Sequence, residues 1–237
     1  RHLKFELEKV CEHFLMNFRK KRPFITLKVA SSLDGQLAHA SGESKWITSA
    51  ASRKFAHYLR ATHDAVLVGK NTILVDDPKL NIRHKKFPKK IGKIIVIDPK
   101  GQILKRPDLQ IFKSHQPKNI LIVTNENLKT DLATVVSVKE RLNDAININA
   151  LLTQLFHLGI KSVLVEGGAQ TISSFIMQKE ANRLYLFQAP VLIGSRTGKA
   201  WSEGVMINSM SEKLSLISPR FKRIGNDLVT TALFPEV

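Results

Sequence analysis

The 237-residue chain has one cysteine, Cys11. One thiol excludes an intramolecular disulfide framework and any multi-cysteine zinc site, and it fits a reducing, cytoplasmic setting. No apolar run approaches the roughly 18 residues that a membrane-spanning helix requires, so no membrane partner is expected. The histidines form neither His-Glu-x-x-His nor a His-x-Glu with Cys-x-x-Cys pattern. A zinc hydrolase or zinc deaminase is thereby disfavoured, and no metal is expected. There is no Gly-x-Gly-x-x-Gly, so the dinucleotide-binding Rossmann fingerprint is missing. The stretch from Gly194 to Ala200 resembles a P-loop, but it is one residue short and carries Ala200 where a hydroxyl would hold magnesium. Acidic residues are scarce: 20 Asp and Glu stand against 37 Lys and Arg, a formal charge of +17. Such a balance favours acidic partners, namely phosphorylated metabolites, nucleic acid or anionic surfaces. Aromatics are also scarce. Residues 79–118 hold 12 Lys and Arg against Asp98 and Asp108, with only Phe87 and Phe112 interleaved. Nucleic-acid sites stack bases on aromatic rings, so this stretch reads as a solvated basic surface or as a rim that steers a phosphorylated ligand.

What is present is a strand-and-helix alternation. Leu3, Leu7, Val10, Phe14 and Phe18 recur at helical spacing and predict a linking helix within residues 1–22, closed by the basic run before Pro23. Short apolar strands are expected at 24–30, 65–69, 93–98, 119–124, 162–166 and 183–188. Helices are expected at 49–62, 148–158 (stopped by Gly159) and about 169–179, with Ile172, Phe175 and Ile176 inward. Thr48 or Ser49 is a natural N-cap for the first of these. Residues 213–233 read as a hairpin turning at Gly225-Asn226-Asp227. Nearly all-apolar strands alternating with helices imply a mostly parallel mixed sheet covered on both faces, with the hairpin adding antiparallel strands at one edge.

In such a sheet, ligands bind beyond the carboxyl ends of the strands. Small and polar residues gather there: Ala30-Ser31-Ser32 after the first strand, Gly69-Lys70-Asn71-Thr72 with Asp76 after the second, Thr124 further on, and Glu166-Gly167-Gly168 before a helix. The strand–Gly167-Gly168–helix turn either offers helix N–H groups to a phosphate or needs glycine for a positive φ. Lys28 interrupts an apolar strand, so it either serves a site or pairs with a carboxylate such as Asp34 or Asp76. Arg53 and Arg60, seven residues apart, share a helix face, as a phosphate clamp or as a solvent-facing stripe.

Taken together, FITLKVASSLDGQLAHASGESKWITS, LRATHDAVLVGKNTILVDDPKLNIR, VLVEGGAQTISSFI and LFQAPVLIG resemble the reductase domain of the bifunctional riboflavin-biosynthesis deaminase/reductases, from about Arg22 to the C-terminus. The resemblance implies a dihydrofolate-reductase-like fold. It also implies NADPH-dependent reduction of 5-amino-6-(5-phosphoribosylamino)uracil to the ribitylamino phosphate, with hydride going to ribose C1′. By the same resemblance Lys28 and Asp76 take part in the reduction. NADPH contacts Ala30, Trp46, Thr72, Asp76, Thr124 and the run Gly168, Ala169, Gln170, Thr171, Ile172, Ser173 and Ser174. The substrate contacts Ser44, Arg60, Leu80, Arg83 and Glu166, with Arg60 and Arg83 suited to its 5′-phosphate. Lys70 and Asn71 stand in a turn where the family usually has small residues, and loop 84–93 is unusually basic; both leave the partner of the NADPH 2′-phosphate open.

The resemblance further implies a homodimer and a multifunctional full-length protein. There is no initiator Met, and the deaminase is expected to precede residue 1 in the whole chain, with residues 1–22 as linker and 23–237 as the reductase domain. Two other functions stay open from sequence: a related dihydrofolate-reductase-like enzyme acting on another pyrimidine or pterin, and, on charge alone, a basic nucleic-acid-binding module.

Overall fold

A computed structural model describes residues 12–39, 47–87, 90, 92–142 and 145–235. Leu3, Leu7, Val10, Ser44 and Trp46 lie outside the described residues. Helix α1 (Glu12–Lys20) falls within the expected linking helix. Phe14 and Phe18 stack on each other at 6.3 Å, but both face solvent. Asn17 fastens the helix to the body through the carbonyls of Arg22 (2.8 Å) and Lys161 (2.9 Å).

The body is a nine-stranded sheet in the order β12-β13-β10-β1-β9-β3-β4-β5-β6. Its strands are β1 (Phe24–Ser32), β3 (Ala65–Gly69), β4 (Lys93–Ile97), β5 (Ile120–Thr124), β6 (Thr134–Ser137), β9 (Ser162–Val165), β10 (Arg183–Ala189), β12 (Ile217–Ile224) and β13 (Asp227–Leu233). Every neighbouring pair from β10 to β6 is parallel, and β13 joins β10 antiparallel as part of the C-terminal hairpin. The mostly parallel mixed sheet expected from the sequence is therefore present. Two small ribbons were not foreseen: β2 (Gln36–His39) with β11 (Gly198–Ala200), and β7 (Arg141–Leu142) with β8 (Ala145–Ile146). The P-loop look-alike thus ends in a strand that pairs with β2. Strand β6 is also new, since four residues of mixed exposure carry little pattern.

Alternation along each strand divides the core. Ile25, Leu27, Val29, Leu67, Ile95, Val163 and Val165 face α5 (Ile148–His157) and α6 (Ala169–Met177), and Leu151, Leu152, Leu155, Ile172, Phe175 and Ile176 pack against them. On the opposite face, Val66, Val68, Ile94, Val96, Ile120 and Ile122 meet α3 (Lys70–Asp76) and α4 (Gln110–Ser114). Leu59 of α2 (Ala50–Thr62) covers Leu164, Phe187 and Val229 on that same face. A sheet buried on both sides explains why its central strands read as unbroken apolar runs.

Helix α2 is fixed at both ends. Ser49 is its N-cap and accepts from the Ser52 N–H at 3.3 Å. Asp227, buried at the hairpin turn, accepts from both the Ser49 N–H and its hydroxyl at 2.8 Å. At the other end, buried His63 donates from Nδ1 to the Leu59 carbonyl (2.7 Å), which leaves Nε2 to accept from the Thr26 hydroxyl (2.9 Å). Replacing Asp227→Ala removes two hydrogen bonds to a buried carboxylate. It is expected to lower unfolding free energy by about 2–3 kcal/mol in urea denaturation at pH 7, with secondary structure retained.

Candidate functional site

The carboxyl ends of β1, β3, β4 and β9 open onto a cleft of about 760 Å³. Strands deliver Lys28, Ala30, Ile97 and Glu166 to its floor. One wall is the start of α3, with Lys70, Thr72, Val75 and Asp76, and the other is the turn and first residues of α6. Leu37 and Ile47 add apolar surface at the rim. Of the residues expected at the cofactor, the structure brings Ala30, Thr72, Asp76, Gly168, Ala169, Gln170, Thr171 and Ser174 to this cleft.

Three of the expected cofactor residues have their side chains elsewhere. Ile172 is core, because the inward face of α6 is its apolar face. Ser173 is buried and accepts from the Gly204 N–H at 3.1 Å. Thr124 is fully buried; its hydroxyl donates to the Pro99 carbonyl (2.9 Å) and accepts from the Glu126 N–H (3.0 Å). Leu80, expected at the substrate, likewise sits in the core with a left-handed φ of 49°.

The double glycine serves close approach and not a positive φ: Gly168 has φ −68°, and Gly167 is absent from the left-handed glycines. A Cβ on Gly167 would lie 2.5 Å from the Thr171 Cβ, and one on Gly69 would lie 2.6 Å from the Thr171 hydroxyl. These two glycines let α6 descend onto β3. Gly168 caps α6 without a side-chain hydrogen bond, no acidic residue occupies the first turn, and the space beside Gly168 is open. The first-turn N–H groups therefore face the cleft without an internal acceptor, as an anion site requires.

At the other end of the cleft, Arg60 grips Glu166 in bidentate fashion, with Nε–Oε1 at 2.7 Å and Nη2–Oε2 at 2.9 Å. A third bond runs from Nη1 to the Asn81 carbonyl at 3.3 Å. The expected phosphate clamp at Arg60 is thus occupied by a carboxylate, while Arg83 is exposed to solvent. Arg53 turns back to the Thr48 carbonyl. Burial pushes the Glu166 carboxyl up, but the Arg60 guanidinium outweighs it, Lys28 and His57 add to the effect, and the group is held at about 2. Burial lowers the Lys28 ammonium; Glu166 opposes that shift and Arg60 adds to it. Lys28 lies 5.8 Å from the Phe187 ring centroid. Asp34, offered as its ion-pair partner, instead binds Ser32 and the Ile193 and Gly194 N–H groups.

Sequence reasoning missed His57. Its Nδ1 accepts from the Arg83 N–H at 3.3 Å, and burial, Arg60 and Arg83 lower its pKa. Its spacing of three residues from Arg60 on one helix face was an available signal.

The family model described as the RibD C-terminal domain matches residues 23–230. The chain belongs to the RibD C-terminal domain family. Its relatives include the riboflavin biosynthesis protein RibD of Aquifex aeolicus, 35% identical over 225 residues, covering 94% of this chain and 61% of that protein. A second is the 2,5-diamino-6-ribosylamino-4(3H)-pyrimidinone 5′-phosphate reductase of Debaryomyces hansenii, 33% identical, covering 79% of this chain and 83% of that one. Among solved structures, the Thermotoga maritima deaminase/reductase aligns with a TM-score of 0.79 at 28% identity, over 98% of this chain and 62% of that chain. Acinetobacter baumannii RibD aligns at 0.82 with 24% identity, over 97% of this chain and 63% of that chain, a likeness of fold. The RibD C-terminal domain here has the dihydrofolate-reductase-like fold. It spans about 61% of the length of the RibD relatives it matches. No helix among the described residues is long and apolar enough to cross a membrane.

The Arg60–Glu166 pair predicts an acid dependence. The Glu166 carboxyl, ordinarily near 4.5, is held at about 2 in the folded chain. Its contribution to stability is therefore complete above about 4.5 and is lost as pH falls from there toward 2. Arg60→Ala leaves the buried carboxylate without its cation. It should cost about 3–5 kcal/mol at pH 7 in chemical denaturation and move the carboxyl titration upward in NMR.

Proposed function

We propose that this chain is the reductase of riboflavin biosynthesis, reducing 5-amino-6-(5-phosphoribosylamino)uracil to 5-amino-6-(5-phosphoribitylamino)uracil with NADPH. The observation that carries this reading is a single cleft with two unlike ends. The uncapped, glycine-hinged start of α6 is chemically suited to a dinucleotide pyrophosphate, and the charged Lys28–Glu166–Arg60 group is suited to a polar heterocycle. The names carried by the Aquifex and Debaryomyces relatives support the same reading. In it, the longer RibD relatives favour a deaminase domain in the full-length protein, which acts as a cytoplasmic homodimer.

The donor set fits NADPH. Backbone N–H groups from Gly168 to Thr171 hold the pyrophosphate, while Ala30, Thr72 and Asp76 line the path toward the reacting end. When bound, the cofactor supplies hydride to C1′ of the ring-opened ribosylamine. Glu166, kept anionic and oriented by Arg60, accepts hydrogen bonds from pyrimidine N–H groups or ribose hydroxyls. Arg83, with a solvent-facing guanidinium, takes the 5′-phosphate. Lys28, whose ammonium is made more acidic by burial, donates a proton from Nζ to the substrate nitrogen as C1′ is reduced, and is reprotonated from solvent. Asp76 orients that end of the site. The protein's largest contribution is holding the imine carbon and the hydride donor in register.

Substrate-dependent loss of NADPH absorbance, with NADH as control, tests the assignment; no turnover with this substrate by a chain that binds NADPH would sink it. Arg83→Ala is expected to raise the substrate KM about tenfold or more, with NADPH affinity within twofold of wild type.

A further inference from the structure

NADPH differs from NADH by one phosphate on the adenosine 2′ oxygen, and a site that selects it must supply a cation there. Among the described residues, three cationic side chains line the cleft: Lys28, Lys70 and Lys199. Lys28 belongs to the Glu166 end. Lys199 is exposed on β11, and Glu203 lines the same cleft.

Lys70 is different. It is half-buried, and its ammonium is held by the Gln102 Oε1, a neutral acceptor. No carboxylate pairs with it among the ion pairs of the described residues. As the first residue of α3 it stands where a positive charge costs the helix stability, so the helix gives no reason for a lysine. It directly follows Gly69, the residue whose missing Cβ admits Thr171. Lys70 therefore lines the same cleft as the α6 turn, with its backbone directly after the glycine that Thr171 packs against. An ammonium that meets only an amide oxygen, on a residue that lines the cleft together with the α6 turn, has charge left to give to an anion.

We propose that Lys70 binds the 2′-phosphate of NADPH and thereby selects it over NADH. Its hydrogen bond to Gln102 already restrains the Lys70 side chain, so less rotamer freedom remains to be lost on binding. The proposal rests on the cofactor reading above and names the residue behind its specificity.

The test is calorimetric titration of the chain, without substrate, using NADPH, NADH, adenosine 2′,5′-bisphosphate and AMP. Wild type, Lys70→Gln, Lys70→Arg and Lys199→Gln are compared. Lys70→Gln should weaken NADPH and the bisphosphate about 10- to 100-fold while leaving NADH and AMP within about twofold, as expected for losing a charge-assisted phosphate contact. Lys70→Arg should keep the preference, and Lys199→Gln should leave it unchanged. If Lys70→Gln is unfolded by circular dichroism, Lys70→Met replaces it. Retained preference in the Lys70 variant, equal weakening of all four ligands, or loss in Lys199→Gln instead would overturn the proposal while leaving the NADPH reading standing. A wild type that binds no dinucleotide would overturn that reading, and this proposal with it.

Discussion

The bidentate ion pair between Arg60 and Glu166 joins three parts of the chain that are distant in sequence: helix α2, the residue just past β9, and the segment around Asn81. Both side chains are largely removed from solvent, so each charge is tolerable only because the other is there. The pair keeps a carboxylate ionised in an apolar setting, and Lys28 titrates in the field of that carboxylate and the guanidinium together. The same helix face reaches the Arg83 N–H through His57. One turn of α2 thereby sets both the floor of the cleft and the approach of the basic segment beyond it.

The other end of the cleft depends on volume and not on charge. Thr171 occupies the space that side chains at positions 69 and 167 would fill, so the start of α6 lies close against the end of β3 with its uncapped N–H groups at the opening. Its inward residues, Ile172, Phe175 and Ile176, are deep in the core, which leaves the cradle on a rigid element. A site that must hold two reactants in register benefits from such rigidity, because small displacements cost much of the rate.

Much of the fold was legible in the sequence, for a simple reason. Strands such as Ala65–Gly69 and Ile120–Thr124 are buried on both faces and so are apolar throughout, and the helices between them carry clear stripes such as Leu151, Leu152 and Leu155. Elements without that pressure escaped. The short strands at Gln36–His39 and Gly198–Ala200 are specified by pairing with each other across most of the domain's sequence, which leaves no local pattern. The site was legible as a strand edge and a double glycine. Which side chains along Gly168–Ser174 face the cleft was not, because a motif match assigns a run of residues while a helix turns some of them away: Ser174 lines the opening, and Ile172 and Ser173 do not.

The sequence by itself determined the alternation of strands and helices, the parallel character of the sheet, the hairpin at its edge and the family, because these follow from local apolar periodicity and from contiguous motifs. Only the tertiary structure decided that Arg60 answers Glu166, 106 residues away, that Asp34 anchors the loop at Gly194 and is not the partner of Lys28, and that Lys70 meets an amide and no carboxylate. Which charges neutralise one another depends on distances set by packing through the whole sheet, and no local stretch of sequence encodes those distances.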